Sequence, residues 1–275
     1  MRRSAHPAKT ADAFARVVRE AAFADAGYGY DQFGFHPPSL ARAAELGAPI
    51  YERYFRVDSR GSDAIPASGP AIVVANHGGV LPVDAAMLCL DLVRNTEPPR
   101  VPRPVMDHFV PHLPFVSTWF ARLGGVSGTR ANVRALLARG ELVVVWPEGV
   151  AGPAKRFRDR YRIQRWCVGF AELALRYHAP VIPCAVIGSE ESWPLLGKLG
   201  KLHTFGIPYL PIAASPVPLP AHYHIRYAQP MWLDDHLAGA DPDDPDVVAN
   251  AATRVQVALE QLIDDTRCAR RGVFR

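Results

Sequence analysis

Three short runs of unbroken apolar residues stand out along the chain: Ala71-Ile-Val-Val-Ala75, Leu142-Val-Val-Val-Trp146 and the stretch from Val181 to Ile187. Apolar runs of this length, without polar alternation, are what strands covered on both faces require. A fourth strand is expected to end at Val105, and a late one over 223–227, where apolar and polar residues alternate. Helical spacing fills the gaps. Pro82 suits the first position of a helix over 82–93. Residues 108–122 are mixed and turn helical after Pro114. A short helix over 132–138 stops at Gly140. A helix over 165–177 turns Phe170, Leu173 and Ala174 inward. Asp244 and Pro245 start a last helix bearing the stripe Val248, Ala251, Val255, Leu259 and Leu262. Near the amino end, Thr10 caps a helix running to about residue 25. After a Gly/aromatic/Pro-rich loop, Ser39 caps a second helix through about Leu46, with room for more helix up to Tyr54.

Strands alternating with helices imply an α/β fold: a mixed, largely parallel central sheet flanked by helices. We expect two parts, an amino-terminal helical extension over 1–50 and the α/β domain over 51–275. With 275 residues, 49% hydrophobic and 21% charged, the chain is ordinary globular material that can bury a core without staples. Four scattered cysteines with no C-x-x-C spacing fit a reducing compartment and give no thiolate metal site. The net charge of +4 is too small to indicate nucleic acid, yet suits an anionic membrane or an acidic carrier. The longest stretch without Asp, Glu, Lys or Arg, 202–225, holds five prolines, which break the helix a bilayer demands. Within it, Phe205-Gly-Ile-Pro-Tyr-Leu-Pro-Ile-Ala-Ala214 reads as a surface loop. Membrane contact is therefore expected to be peripheral.

In an open α/β sheet, sites form in the loops beyond the carboxyl ends of the strands. Asn76-His77-Gly78-Gly79 follows the first apolar run, and Asp84 begins the next helix. A carboxylate that orients an imidazole leaves the other ring nitrogen free to remove a proton. Trp146-Pro147-Glu148-Gly149 follows the second run and fixes a carboxylate in a tight turn. Gly124-Gly-Val-Ser-Gly128-Thr129-Arg130 can cradle a phosphate at a helix start. Lys155, Arg156, Arg158, Arg160, Arg162 and Arg165 form a basic run opposed only by Asp159. Each loop alone also fits an ordinary turn, and the basic run a solvated face. There is no G-x-S-x-G elbow, Walker A loop, G-x-G-x-x-G or H-E-x-x-H pattern.

Taken in order over 54–230, these blocks resemble the lysophospholipid/glycerolipid acyltransferase family, typified by 1-acylglycerol-3-phosphate acyltransferase, and look like a bacterial branch of it. Asn76, His77 and Asp84 match its first block, and Gly125 to Arg130 its second. Trp146-Pro147-Glu148-Gly149-Val150 matches the third, and Val181-Ile182-Pro183 the fourth. Six residues separate His77 from Asp84 where the family usually has four; we read a loop expansion with the two side chains still in contact. Val150 replaces the usual threonine. The resemblance implies the family's α/β fold and direct transfer of an acyl group to a hydroxyl from acyl-CoA or acyl carrier protein, with no metal or other cofactor. It makes His77 and Asp84 the catalytic pair. Arg130 would bind an acceptor phosphate, and Glu148 would position the acceptor's polar groups. Lys155 and Arg156 would contact headgroups or donor phosphates, and Asn76, Gly128 and Gly149 complete the expected substrate-binding set. The implied partners are the thioester donor, a lysophospholipid acceptor and an anionic membrane surface, on the cytoplasmic side of the cell membrane. Two alternatives stand beside this: a lipid-binding homologue without turnover, and an acyltransferase for a non-glycerol lipid. A hydrolase-like thioesterase would need the serine elbow that is absent.

Overall fold

The computed structural model describes residues 25–200, 209–235 and 241–275. In chain order its elements are α1 (Pro37–Pro49), β1 (Asp58–Arg60), β2 (Ala71–Ala75), α2 (Val83–Asn95), β3 (Pro102–Met106), α3 (Val116–Arg122), β4 (Val126–Ser127), α4 (Arg130–Ala138), β5 (Leu142–Val145), α5 (Gly169–Arg176), β6 (Val181–Ile187), α6 (Ser189–Ser192), β7 (Leu195–Leu199), β8 (Leu210–Ala213), β9 (His224–Tyr227) and α7 (Pro245–Ala269). The helix expected over 10–25 lies outside the described residues, apart from its last position.

Seven strands form one sheet in the order β1-β9-β6-β2-β5-β3-β4. Every neighbouring pair is parallel except β6 with β9. The apolar runs sit at the centre because both faces are covered. Ala71, Val73 and Ala75 of β2 face a core shared with Leu40, Ala41 and Ala44 of α1 and Leu88 and Leu92 of α2. Ile72 and Val74 face the opposite core, built with α4, α5 and α7. Full burial of each such Val or Ile contributes about 1.5–3 kcal/mol. α7 starts as its sequence asks: Pro245 is in the first turn and the Asp244 side chain accepts from the Asp246 N–H at 2.9 Å. Its stripe runs past Leu262, which is half-buried against the core, to the buried Ile263 and Thr266.

Some boundaries differ from the expected ones. α5 begins at Gly169, not 165. Residues 157–159 make one short 3-10 turn, so the basic run is not a helix. α4 begins at Arg130, with Thr129 accepting from the Asn132 N–H at 3.2 Å. Residues 210–213 of the expected proline-rich loop form β8, which pairs antiparallel with β7. Pro211 fits because the two-stranded ribbon is all edge, where a missing N–H is tolerated.

Because β2, β3, β4, β5 and β6 are parallel, their carboxyl ends lie at one end of the sheet. The loops carrying His77, Asp107, Arg130, Glu148 and Glu190 leave from there.

Candidate active site

β2 stops at Ala75, and the Asn76 side chain completes its edge. The amide oxygen accepts from the Val186 N–H at 2.8 Å, and the amide nitrogen donates to the Val186 carbonyl at 3.0 Å. Asn76 is fully buried, so it fixes where the chain leaves the sheet and does not face a ligand, contrary to expectation. The next residue, His77, turns its ring onto Asp84 in the first turn of α2. Nδ1 lies 2.7 Å from Asp84 Oδ2, and the same oxygen accepts from the Gly78 N–H at 2.9 Å. The expanded loop thus closes on the expected contact. A carboxylate there makes Nδ1 the protonated nitrogen and leaves the Nε2 lone pair unprotonated. Among the described residues Nε2 has no hydrogen-bond partner. Burial disfavours a charged ring, but the Asp84 carboxylate, aided by Asp107 and Glu148, outweighs it and holds the imidazole above its ordinary value.

Glu148 and Lys155 were expected to touch substrate, and the structure turns both inward. Glu148 Oε1 accepts the His77 N–H at 3.1 Å, and Oε2 accepts the Gln164 N–H at 2.8 Å. Lys155 Nζ lies 3.1 Å from Glu148 Oε2 and 3.0 Å from Glu190 Oε1. The Lys155 side chain is 2% exposed and that of Glu148 0%. A charge this deeply buried is sustained only by partners. The ammonium between two carboxylates, themselves held by backbone N–H groups, meets that condition.

A pocket of about 230 Å³ opens at the same end of the sheet, with Trp146, not His77, in its wall. Its wall is mostly apolar, with Ile72, Val105, Val133, Val145, Phe170 and Leu173, while Asp107, Gly128, Arg130 and Gly149 line it too. Trp146 joins the two regions: it lines the pocket, and its ring centroid is 5.4 Å from that of His77. Arg130, at the start of α4, is 70% exposed and lies 3.6 Å from Glu172 Oε2, an open geometry that leaves most of the guanidinium available. Asp107, at the end of β3, carries a carboxyl raised by burial against the pull of His77 and His108. Arg156 lies exposed along a narrow cleft lined also by Gly79, Gly152, Lys155 and Glu190.

Asp107, Tyr161, Glu190 and Glu191 were not singled out from the sequence. Tyr161 donates its hydroxyl to Glu191, accepts from the Gly188 N–H at 2.8 Å, and gives its own N–H to Glu190 at 2.7 Å. One signal was readable: Ser189-Glu-Glu-Ser192 follows an apolar strand at the same sheet end as the other loops.

A family model described as Acyltransferase matches residues 56–187, which span β1 to β6 and the loops of His77, Asp107, Arg130 and Glu148. An uncharacterized protein of Mycobacterium tuberculosis is 38% identical over 258 residues, covering 90% of this chain and 72% of the relative. A bovine protein named DGAT1/2-independent enzyme synthesizing storage lipids is 26% identical over 211 residues, covering 74% of this chain and 58% of the relative. Among solved structures, the 1-acyl-sn-glycerophosphate acyltransferase PlsC of Thermotoga maritima superposes with a TM-score of 0.56 at 17% identity, over 85% of this chain and 81% of its own. That likeness is one of fold. The ordered loops, the family match and the relative that is 38% identical have one explanation, which is that this chain belongs to the Acyltransferase family.

Proposed function

We propose that the chain moves a fatty acyl group from a thioester, acyl-CoA or acyl carrier protein, to a hydroxyl of a lysophospholipid or related glycerolipid, with His77 as general base. The observation that carries this reading is the 2.7 Å contact of His77 Nδ1 with Asp84, which leaves Nε2 available, one aromatic ring away from an apolar pocket lined by Trp146. In the proposed step Nε2 takes the acceptor's hydroxyl proton as that oxygen bonds to the thioester carbonyl carbon. The carbon–sulfur bond then breaks, and the departing thiolate takes the proton from the imidazolium. Proton and electron pairs balance without a covalent enzyme intermediate. Asp84 stabilises the imidazolium between the two transfers. A base placed in this way contributes about 10²–10⁴ in rate.

The pocket walls of Phe170 and Leu173 suit an acyl chain, and Arg130 at the rim suits a phosphate on the acceptor. Acceptor and product are amphiphiles. No described helix is long and apolar enough to cross a membrane. Exposed apolar side chains near the site's end of the sheet therefore suit contact with a lipid surface. Leu196, Leu199, Leu210 and Ile212 stand out on the β7–β8 ribbon, Phe115 just before α3 and Trp119 on it. Phe115 is 90% exposed on a backbone with φ of +63°, a conformation unfavourable for a bulky residue that recurs at functional sites.

The deciding experiment measures thiol release from acyl-CoA with a panel of lyso-acceptors, wild type against His77→Ala. Acceptor-dependent release that falls at least about 10²-fold in the folded variant supports the reading. Equal release by both proteins, or lipid binding without turnover by the wild type, overturns it.

A further inference from the structure

The catalytic loop is held from behind as well as by Asp84. Lys155 lies between Glu148 and Glu190 with its ammonium 3.1 and 3.0 Å from their oxygens. Glu148 in turn holds the His77 amide, and Glu190 holds the Tyr161 amide. The loop is packed against this cluster without slack. A Cβ at Gly78 would come within 2.3 Å of Glu190 Cγ. From the other side, a Cβ at Gly152 would lie 2.8 Å from His77 Cβ and 2.9 Å from its carbonyl oxygen. The backbone of residues 77–78 is therefore clamped between Gly152 and the Glu190 side chain, and the position of that side chain depends on Lys155.

We propose that Lys155 is a positioning residue for acyl transfer: its buried ammonium locks Glu148 and Glu190 together and, through Glu148, fixes the backbone of His77 so that Nε2 faces the acceptor. The proposal rests on the reading of His77 as the base. The Lys155 ammonium pairs with Glu148 and Glu190 and reaches His77 through the Glu148 carboxylate that holds the His77 N–H. Its second effect is on charge. The ring faces Asp84 on α2, Asp107 after β3 and Glu148 after β5, and Lys155 neutralises the last of these. Glu190, behind Lys155, is pushed up to about 7 by burial against the pull of the ammonium, so the cluster is near its limit for negative charge. Without the cation, Glu148 acts on the imidazole unopposed and the ring binds its proton more tightly. A merely space-filling lysine would have no such consequence.

The test is Lys155→Met, with Lys155→Gln as the variant that keeps a hydrogen-bond donor for Glu148 should the first fail to fold. Two measurements are made on the folded protein: kcat and KM against pH, and the titration of the His77 ring by NMR. We expect kcat to fall about 10²-fold, the scale of a displaced catalytic group. KM for donor and acceptor should stay within about threefold, and the acid limb of activity and the His77 titration should both move to higher pH. Unchanged kcat, or a lower kcat with the His77 titration unmoved, overturns the proposal. If the wild type turns over no thioester, the reading of the reaction fails instead, and the titration still decides whether Lys155 acts on His77.

Discussion

Asp84→Asn keeps the shape of the side chain and removes its charge. In the native protein Asp84 Oδ2 lies 2.7 Å from His77 Nδ1 and accepts the Gly78 N–H as well. A hydrogen bond between charged groups contributes about 1.5–3 kcal/mol. That stabilisation of the charged ring is what holds the imidazole above its ordinary value despite its burial. Burial alone favours the neutral ring, so without the carboxylate the His77 value drops and the acid limb of the rate profile moves to lower pH. The plateau falls too. The amide can present its NH2 to Nδ1 and force the proton onto Nε2, the tautomer that cannot act as base, so a loss of about 10²–10⁴-fold is expected. Stability responds with its own sign. The folded ring binds its proton more tightly than the unfolded chain does, whose value is near 6.5. The pair's contribution is therefore complete below that pH and is lost as pH rises through the folded value. Asp84→Asn should narrow the stability gap to wild type as the pH climbs through neutrality. The assays are kcat/KM for acyl-CoA and acceptor between pH 5 and 9, and urea unfolding over the same range. A rate within threefold of wild type, with an unmoved acid limb, would refute the base–orienter argument.

Three further outcomes are expected. Gly78→Ala, whose methyl would meet Glu190, should cost about 1–3 kcal/mol in urea unfolding and most of the activity; an unchanged midpoint and rate would show that the loop has slack. Arg130→Ala should raise KM about tenfold or more for a phosphorylated acceptor and leave stability almost unchanged, since its ion pair with Glu172 is open and 3.6 Å long; an equal effect on an acceptor without phosphate would give Arg130 another task. Phe115→Ser combined with Trp119→Ser should weaken co-sedimentation with anionic vesicles while preserving turnover of a water-soluble short-chain substrate, and unchanged sedimentation would remove α3 from the lipid-facing surface.

The central strands were legible because burial on both faces leaves an unambiguous mark, as in Ile72-Val73-Val74. His77 and Asp84 were legible because a strand end and a helix start fix their positions, and the structure brings them together. The directions of Asn76, Glu148 and Lys155 were not. A side chain leaving a turn has no periodicity to say whether it faces solvent or core, and Lys155 looked like one member of an exposed basic run. Its burial depends on Glu190, 35 positions on, which only the fold brings near. β8 was missed for a related reason. Two prolines near it argued against a ladder, but Pro211 pairs opposite Lys198 in a two-stranded ribbon whose strands are both edges, where a missing N–H is tolerated. The short β1 and β4 carry too few residues for any pattern to show.

The amide of Asn76 is a peptide mimic. By giving Val186 both an acceptor and a donor, it substitutes for the strand residue that would otherwise continue beside β6. The departure point of the chain is thereby pinned independently of the loop beyond it, while Asp84 is pinned separately by the start of α2. Beyond Gly78, which is itself held by Asp84 and packed on Glu190, residues 79–82 become a tether between two fixed posts, where length can change without moving either. The number of residues separating base and carboxylate is thus a poor ruler for their distance in space. A sequence pattern for sites of this kind should leave that gap open and anchor instead on the asparagine after the buried strand and the aspartate in the helix's opening turn.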